Sequence, residues 1–212
     1  MKTILAYGDS LTFGADPAGG PRHALEDRWP TRLEAGLGGK ARVIAEGLGG
    51  RTTVFDDFSS VAERNGAKTL PMLLSSHQPI DCVVIMLGTN DLKSYICGSA
   101  LGAAMGIKRL AEIVKTHPYD ATAPVPEVVL VAPPHCIETG HADLSPMFET
   151  GITESRLFAG HYARVANDIG CTFFDAATVA KASPLDGVHL DAANTRAIGD
   201  ALAPVVSKLL GL

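Results

Sequence analysis

Ser10, Asp186 and His189 are the residues of this chain whose types and spacing could do chemistry together. Ser10 stands in Gly8-Asp9-Ser10-Leu11, directly after the apolar run Thr3-Ile4-Leu5-Ala6-Tyr7. A run of that length ending in glycine predicts a buried strand entering a sharp turn. A serine at such a point projects from the carboxyl edge of a sheet, where open α/β folds build their sites. Its hydroxyl is a weak nucleophile until a base removes the proton. Near the other end, Asp186-Gly187-Val188-His189 sets a carboxylate and an imidazole three residues apart, with Gly187 to let the loop turn. These residues could fill the three roles of a serine hydrolase. His189 Nε2 would take the Ser10 proton, and Asp186 would accept from Nδ1–H and fix the tautomer. Taken singly, Ser10 reads as a helix cap and the Asp/His pair as an ordinary loop feature. Their combination points to acyl transfer.

Acyl transfer also needs donors for a developing oxyanion, each worth about 3–4 kcal/mol. Two glycine-bearing turns could supply them. In Met86-Leu87-Gly88-Thr89-Asn90-Asp91 the Asn90 amide could donate, or it could serve only an Asx turn. In Glu46-Gly47-Leu48-Gly49-Gly50-Arg51-Thr52 the three glycines permit an exposed N–H at Gly50. These glycines match neither phosphate-binding loop pattern. Arg51 either braces that loop or lines the pocket. Trp29, the one tryptophan, lies on an apolar helical face and either packs in the core or stacks on substrate. Asp9 is expected to hold backbone amides around its turn.

Five apolar runs predict the strands that must position these groups: Thr3–Tyr7, Ala41–Ala45, Asp81–Leu87, Glu127–Ala132 and Cys171–Phe174. Helical periodicity marks Trp29–Leu37, Leu101–Val114, Glu154–Ile169 and Ala192–Leu210, the last with Asp191 as N-cap. In the second of these, Leu101, Met105, Leu110 and Val114 form the expected buried stripe. The alternation predicts a three-layer α/β/α sandwich around a five-stranded parallel sheet in flavodoxin-like order 2-1-3-4-5. That order brings the Asp186–His189 loop to the sheet edge that carries Ser10. Two stretches exceed simple connections, about 15–27 and 133–153. The second carries Ile137, Leu144, Met147 and Phe148 and is expected to expose them to a second subunit.

The chain has 212 residues, 46% apolar and 19% charged, which suits one soluble domain. Its net charge of -5 and lack of a basic cluster argue against a nucleic-acid surface. No apolar run reaches the roughly 18–20 residues of a membrane span. Met1 leads almost directly into the first strand, with no signal-peptide core, so a cytoplasmic location is expected. Cys82, Cys97, Cys136 and Cys171 are scattered and read as free thiols. No spacing suits a metal, and the chemistry requires no metal or cofactor.

Four segments in order resemble the blocks of the SGNH, or GDSL-type, hydrolases: Gly8-Asp9-Ser10-Leu11, Gly47 with Gly50, Gly88-Thr89-Asn90-Asp91, and Asp186-Gly187-Val188-His189. One departure is Ala45, where the second block often carries Asn. The resemblance implies the SGNH hydrolase fold, Ser10 as nucleophile, and an oxyanion hole of Ser10 N–H, Gly50 N–H and Asn90. It also implies that Phe13 could line an acyl pocket rather than simply pack. More narrowly, Gly-Asp-Ser-Leu-Thr-Phe-Gly and Ile-Met-Leu-Gly-Thr-Asn-Asp-Leu-Lys are similar to bacterial arylesterases of the mycobacterial acyltransferase type. In that group the second-block donor is Ala, whereas Gly50 follows the broader family. This likeness implies hydrolysis of short acyl and aryl esters, acyl transfer to alcohols, and a homo-oligomer. The expectation is therefore a serine esterase acting on a small-molecule ester. Its rivals are a carbohydrate O-acetylesterase and a non-catalytic ligand-binding module of the same fold.

Overall fold

A computed structural model describes residues 1–212. Five strands form one parallel sheet in the order β2-β1-β3-β4-β5, as expected. They are β1 (Lys2–Gly8), β2 (Ala41–Gly47), β3 (Cys82–Met86), β4 (Glu127–Ala132) and β5 (Thr172–Asp175). The register runs Gly8 beside Gly47 on one side and beside Met86 on the other. The turns after β1, β2 and β3 therefore leave the sheet side by side.

Strand side chains alternate between two cores, as the pleat requires. Leu5 and Tyr7 face α3 (Gly66–His77), α4 (Ala100–Thr116) and α7 (Phe158–Ile169). Ile4 and Ala6 face α2 (Trp29–Gly36) and α8 (Ala192–Leu210). Three shorter helices complete the set: α1 (Ser10–Phe13), α5 (Leu144–Met147) and α6 (Gly151–Glu154). Asp191 caps α8 by accepting from Asn194 N–H at 2.8 Å, as its position predicts. No helix is long and apolar enough to cross a membrane.

Four expectations need correction. First, a helix not expected from the sequence, α3, forms between β2 and β3, with Pro71 inside it. Leu70, Leu73 and Leu74 nevertheless form a buried stripe at helical spacing, enough to hold the helix around its proline. Second, the buried face of α4 is rotated. Ala103, Ala104, Ile107, Leu110 and Val114 face inward, while Leu101 and Met105 are over half exposed. Gly106 shows why small residues win: a Cβ there would stand 1.9 Å from Thr53 Oγ1. Third, the stretch 154–169 is not one helix. A 3-10 turn, Ser155–Leu157, separates α6 from α7.

Fourth, the 133–153 segment does not present its apolar residues to solvent. It folds into α5 and α6, Phe148 is buried, and Leu144 and Met147 pack half-buried on the larger core. Within the 15–27 stretch, only Leu25–Asp27 forms a short 3-10 turn.

Trp29 is fully buried between α2 and the sheet, and its indole N–H donates to Thr12 Oγ1 at 3.2 Å. It thereby fastens α2 to the helical turn that begins with Ser10. Trp29→Ala should destabilise the fold by about 3–5 kcal/mol through cavity formation. Urea unfolding monitored by far-ultraviolet circular dichroism would check this; a loss below about 1 kcal/mol would mean the site collapses to fill the space.

Candidate active site

The sheet delivers three short turns to one edge. Gly8 ends β1, and Asp9 caps α1 by accepting from Leu11 N–H at 2.9 Å. This fixes Ser10 at the first position of α1. After β2, Arg51 N–H bonds to Leu48 O at 3.0 Å and closes a tight turn. Gly50 sits there at φ +81°, a conformation glycine adopts without steric cost. After β3, the 3-10 turn Thr89–Leu92 carries Asn90.

The fourth element comes from far along the chain. The 186–189 loop is held by Ser183 N–H to His189 O at 2.7 Å and Ile137 N–H to Gly187 O at 2.9 Å. The 133–153 segment thus anchors this loop. His189 Nε2 lies 3.0 Å from Ser10 Oγ, and Nδ1 lies 2.6 Å from Asp186 Oδ2. Asp186 Oδ1 accepts from Val188 and His189 N–H at 3.0 and 2.9 Å. Burial pushes the Asp186 carboxyl up, but the His189 ring and these two amides outweigh it and hold the pKa below the usual value. Asp186 is therefore a carboxylate at neutral pH. The arrangement can pass a proton from Ser10 to the imidazole and stabilise the imidazolium that results.

Asn90 is buried, and its Nδ2 donates to Arg51 O at 3.1 Å and to Asp9 Oδ2 at 3.3 Å. Ser10, Gly50, Asn90 and His189 all line one cleft of about 380 Å³. The structure thus brings together five of the sequence-selected residues: Ser10, Gly50, Asn90, Asp186 and His189.

Three other selected residues stand elsewhere. Arg51 is buried, donates from Nη1 to Gly8 O at 2.8 Å and to Glu46 O, and lies 4.3 Å over the Tyr7 ring. Of its two sequence readings the bracing one applies, and it makes no cleft wall. Phe13 lies under the Arg22 guanidinium, 3.8 Å from its ring centroid, and is also off the wall. Trp29 is in the core, so substrate stacking is excluded by burial. The cleft is walled instead by Ser59, Arg64, Lys93 and Tyr95, which the sequence did not single out, by Val188, and by Leu144, Met147 and Phe148 of the long segment, which narrow the approach to Ser10 rather than meet solvent.

A profile of the GDSL-like lipase/acylhydrolase family matches residues 6–197. The chain belongs to that family. It is an ester-hydrolysing GDSL enzyme. Solved structures agree in fold. A carbohydrate acetylesterase family member from Sinorhizobium meliloti is similar at 50% identity and a TM-score of 0.98, covering 100% of both chains. The native aryl esterase of M. smegmatis is similar at 39% identity and a TM-score of 0.93, covering 99% of this chain and 100% of that one. Est24, a carbohydrate acetylesterase from Sinorhizobium meliloti, has 37% identity and a TM-score of 0.93 over 99% and 100%. No curated protein matches the sequence.

This GDSL hydrolase also buries two further carboxyls beside the site. Asp91 is fully buried and accepts from Thr53 N–H and Thr53 Oγ1–H. Burial raises its pKa to about 7 despite these bonds, and Asp9 adds repulsion. Burial likewise raises Asp9 to about 6, against the pull of the Leu11 amide, His189, Arg51 and Lys93. A carboxyl raised above its unfolded value binds its proton more tightly when folded. Its contribution therefore weakens the fold as pH climbs from about 4 through about 7. The Asp91→Asn variant lacks that titration. Its melting temperature minus that of the wild type should become more positive between pH 4 and pH 7.5 in paired thermal melts. A difference that is flat or falls with pH would show Asp91 ionised throughout.

Proposed function

We propose that this enzyme is a serine esterase for short acyl esters, acetyl esters above all, with Ser10 as nucleophile. The observation that carries the reading is the continuous path from Ser10 Oγ through His189 to Asp186, at 3.0 and 2.6 Å. Ser10 Oγ attacks the ester carbonyl while His189 Nε2 takes its proton. Asp186 balances the charge that this places on the ring. The carbonyl oxygen, now negative, accepts from Ser10 N–H, Gly50 N–H and Asn90 Nδ2–H, giving up at Asn90 the long bond to Asp9. Collapse of the tetrahedral intermediate expels the alcohol, which receives the proton from His189. Water or a second alcohol then attacks the acyl-enzyme, with His189 again as base.

Leu144, Met147 and Phe148 make one wall apolar. This favours aryl or alkyl alcohols and supports acyl transfer in competition with water. The second reading, an acetylated carbohydrate, is supported by the polar residues that line the same cleft and by the acetylesterases among the similar structures. Four unpaired cysteines suit a reducing compartment such as the cytoplasm. A homo-oligomer needs a surface other than the 133–153 segment. Phe58 and Val61, whose side chains stand clear of the protein, are the residues on which a second copy would dock.

A fluorophosphonate should add once, at Ser10, in intact-mass and peptide-mapping experiments. Labelling elsewhere would overturn the assignment. Asp186→Asn should lower kcat by roughly 10⁴. Asn90→Ala should lower kcat by roughly 10²–10³ with a smaller change in KM, because an oxyanion donor acts on the transition state. Asn90→Ala that melts early but keeps full kcat per folded molecule would make Asn90 a turn residue only. Across p-nitrophenyl esters, acetate to butyrate should exceed octanoate in kcat/KM.

A further inference from the structure

Beside its apolar residues, the cleft carries two cations that the steps of ester hydrolysis leave unused. Lys93 follows the Asn90 turn, lines the cleft and is only 6% exposed. Its ammonium sits 3.6 Å from Asp57 Oδ2, beyond hydrogen-bond length, and 5.8 Å from the Tyr95 ring centroid. Arg64 Nη1 donates to the same Asp57 oxygen at 2.8 Å and to Ser59 Oγ at 3.2 Å, while its Nε donates to Gly49 O at 3.1 Å.

Asp57 is the one carboxylate within 4 Å of either cation. Burial pushes its pKa up, but Ser59, Arg64 and Lys93 hold it down at about 2, so it is ionised. The neighbouring acids Asp56 and Glu63 are engaged by Lys68. Within 4 Å two positive charges thus share one negative charge, while Asp9, which Lys93 also pulls on, is buried and does not line the cleft. The Lys93 ammonium has no hydrogen-bond acceptor from the protein and opens on the cleft, where a ligand oxygen can complete its shell. A single net positive charge matches a group carrying one negative charge.

We propose that the alcohol released by this enzyme carries a carboxylate, bound by Lys93 with Arg64 and Ser59. The substrates are then acetyl esters of hydroxy acids. The inference rests on the short-acyl esterase reading, because a two-carbon acyl group has no room for a second charged group and leaves that role to the alcohol. Hydroxybenzoic acids and sugar acids share this chemistry and place it on an aryl and a carbohydrate scaffold respectively.

The test uses two matched pairs with the intact enzyme: 4-acetoxybenzoate against its methyl ester, and acetylated glucuronic acid against its methyl ester. Each rate is divided by the ester's rate in hydroxide alone, which removes leaving-group differences. In at least one pair kcat/KM should favour the free acid by roughly tenfold, the worth of one charge-assisted contact. The preference should sit in KM and shrink at high ionic strength. Lys93→Gln should abolish the ratio and Lys93→Arg should keep it. Because the ratio is read within each variant, general damage to folding or turnover cancels. A wild-type ratio at or below one in both pairs overturns the proposal, as does a ratio indifferent to Lys93→Gln. Hydrolysis of the methyl esters without acid preference removes only this carboxylate site. Failure to hydrolyse any of the four removes the esterase reading itself.

Discussion

Arg51 ties together the ends of three neighbouring strands. Its guanidinium bonds the carbonyls of Gly8 and Glu46, at the ends of β1 and β2, and its own carbonyl receives the Asn90 amide from beyond β3. Ser10, Gly50 and Asn90 each follow one of those ends within a few residues. One buried cation therefore sets the spacing of the nucleophile and two oxyanion donors, although it does not reach the cleft. The Tyr7 ring beneath it supplies a face for the positive charge, 4.3 Å from the guanidinium carbon. Tyr7 is in turn fixed by hydrogen bonds to Gly66 O and Thr69 Oγ1, at 2.8 and 2.7 Å. The constraint thus passes from the site into α3.

Asp9 and Asp91 extend the same logic with opposite sign. Asp9 touches both the Ser10 turn, through Leu11 N–H, and Asn90. Asp91 joins the Asn90 turn to the 52–54 segment through Thr53, and its carbonyl accepts from Cys97 and Gly98 N–H. Burying two carboxyls this close costs stability at neutral pH, as their raised pKa values record. What the cost secures is orientation. The Asp9 carboxyl joins the Leu11 amide to the Asn90 side chain, and the Asp91 carboxyl ties the turn that carries Asn90 to Thr53. A hydrophobic replacement would pack well and leave those amides unsatisfied.

The sequence was legible where function depends on contiguous residues. The strands were short apolar runs, and each site motif followed a strand end directly, so topology alone brought Ser10, Gly50 and Asn90 together. Ala192–Leu210 was read to its residue, because Asp191 and a long apolar stripe agree. Legibility failed where distant elements decide. Arg64, Lys93 and Ser59 look like ordinary surface residues until Asp57 gathers them. The buried face of α4 was misread because side-chain size suggested Leu101 and Met105. Close approach to Thr53 instead selects alanine and glycine. Trp29 allows both packing and stacking from sequence, and Phe13 has a pocket reading only through the family resemblance; burial decides the first for packing, and the second lies under Arg22, off the cleft wall.

The 133–153 segment shows how one insertion can serve both structure and selectivity. Its Ile137 N–H bonds Gly187 O and so steadies the loop that carries Asp186 and His189. Its Leu144, Met147 and Phe148 meanwhile line the same cleft as Lys93 and Arg64. Acid–base geometry and wall chemistry are therefore coupled through one stretch of chain. A change that reshapes these residues also moves the anchor of His189, and it reaches Lys93 too, because Ser94 N–H bonds Met147 O at 3.1 Å; Arg64 instead hangs from Asp57 and the Gly49 carbonyl, on separate elements. Selectivity for the alcohol can thus vary at Arg64 without disturbing the anchor of His189. On the apolar wall, the same variation carries a penalty in turnover.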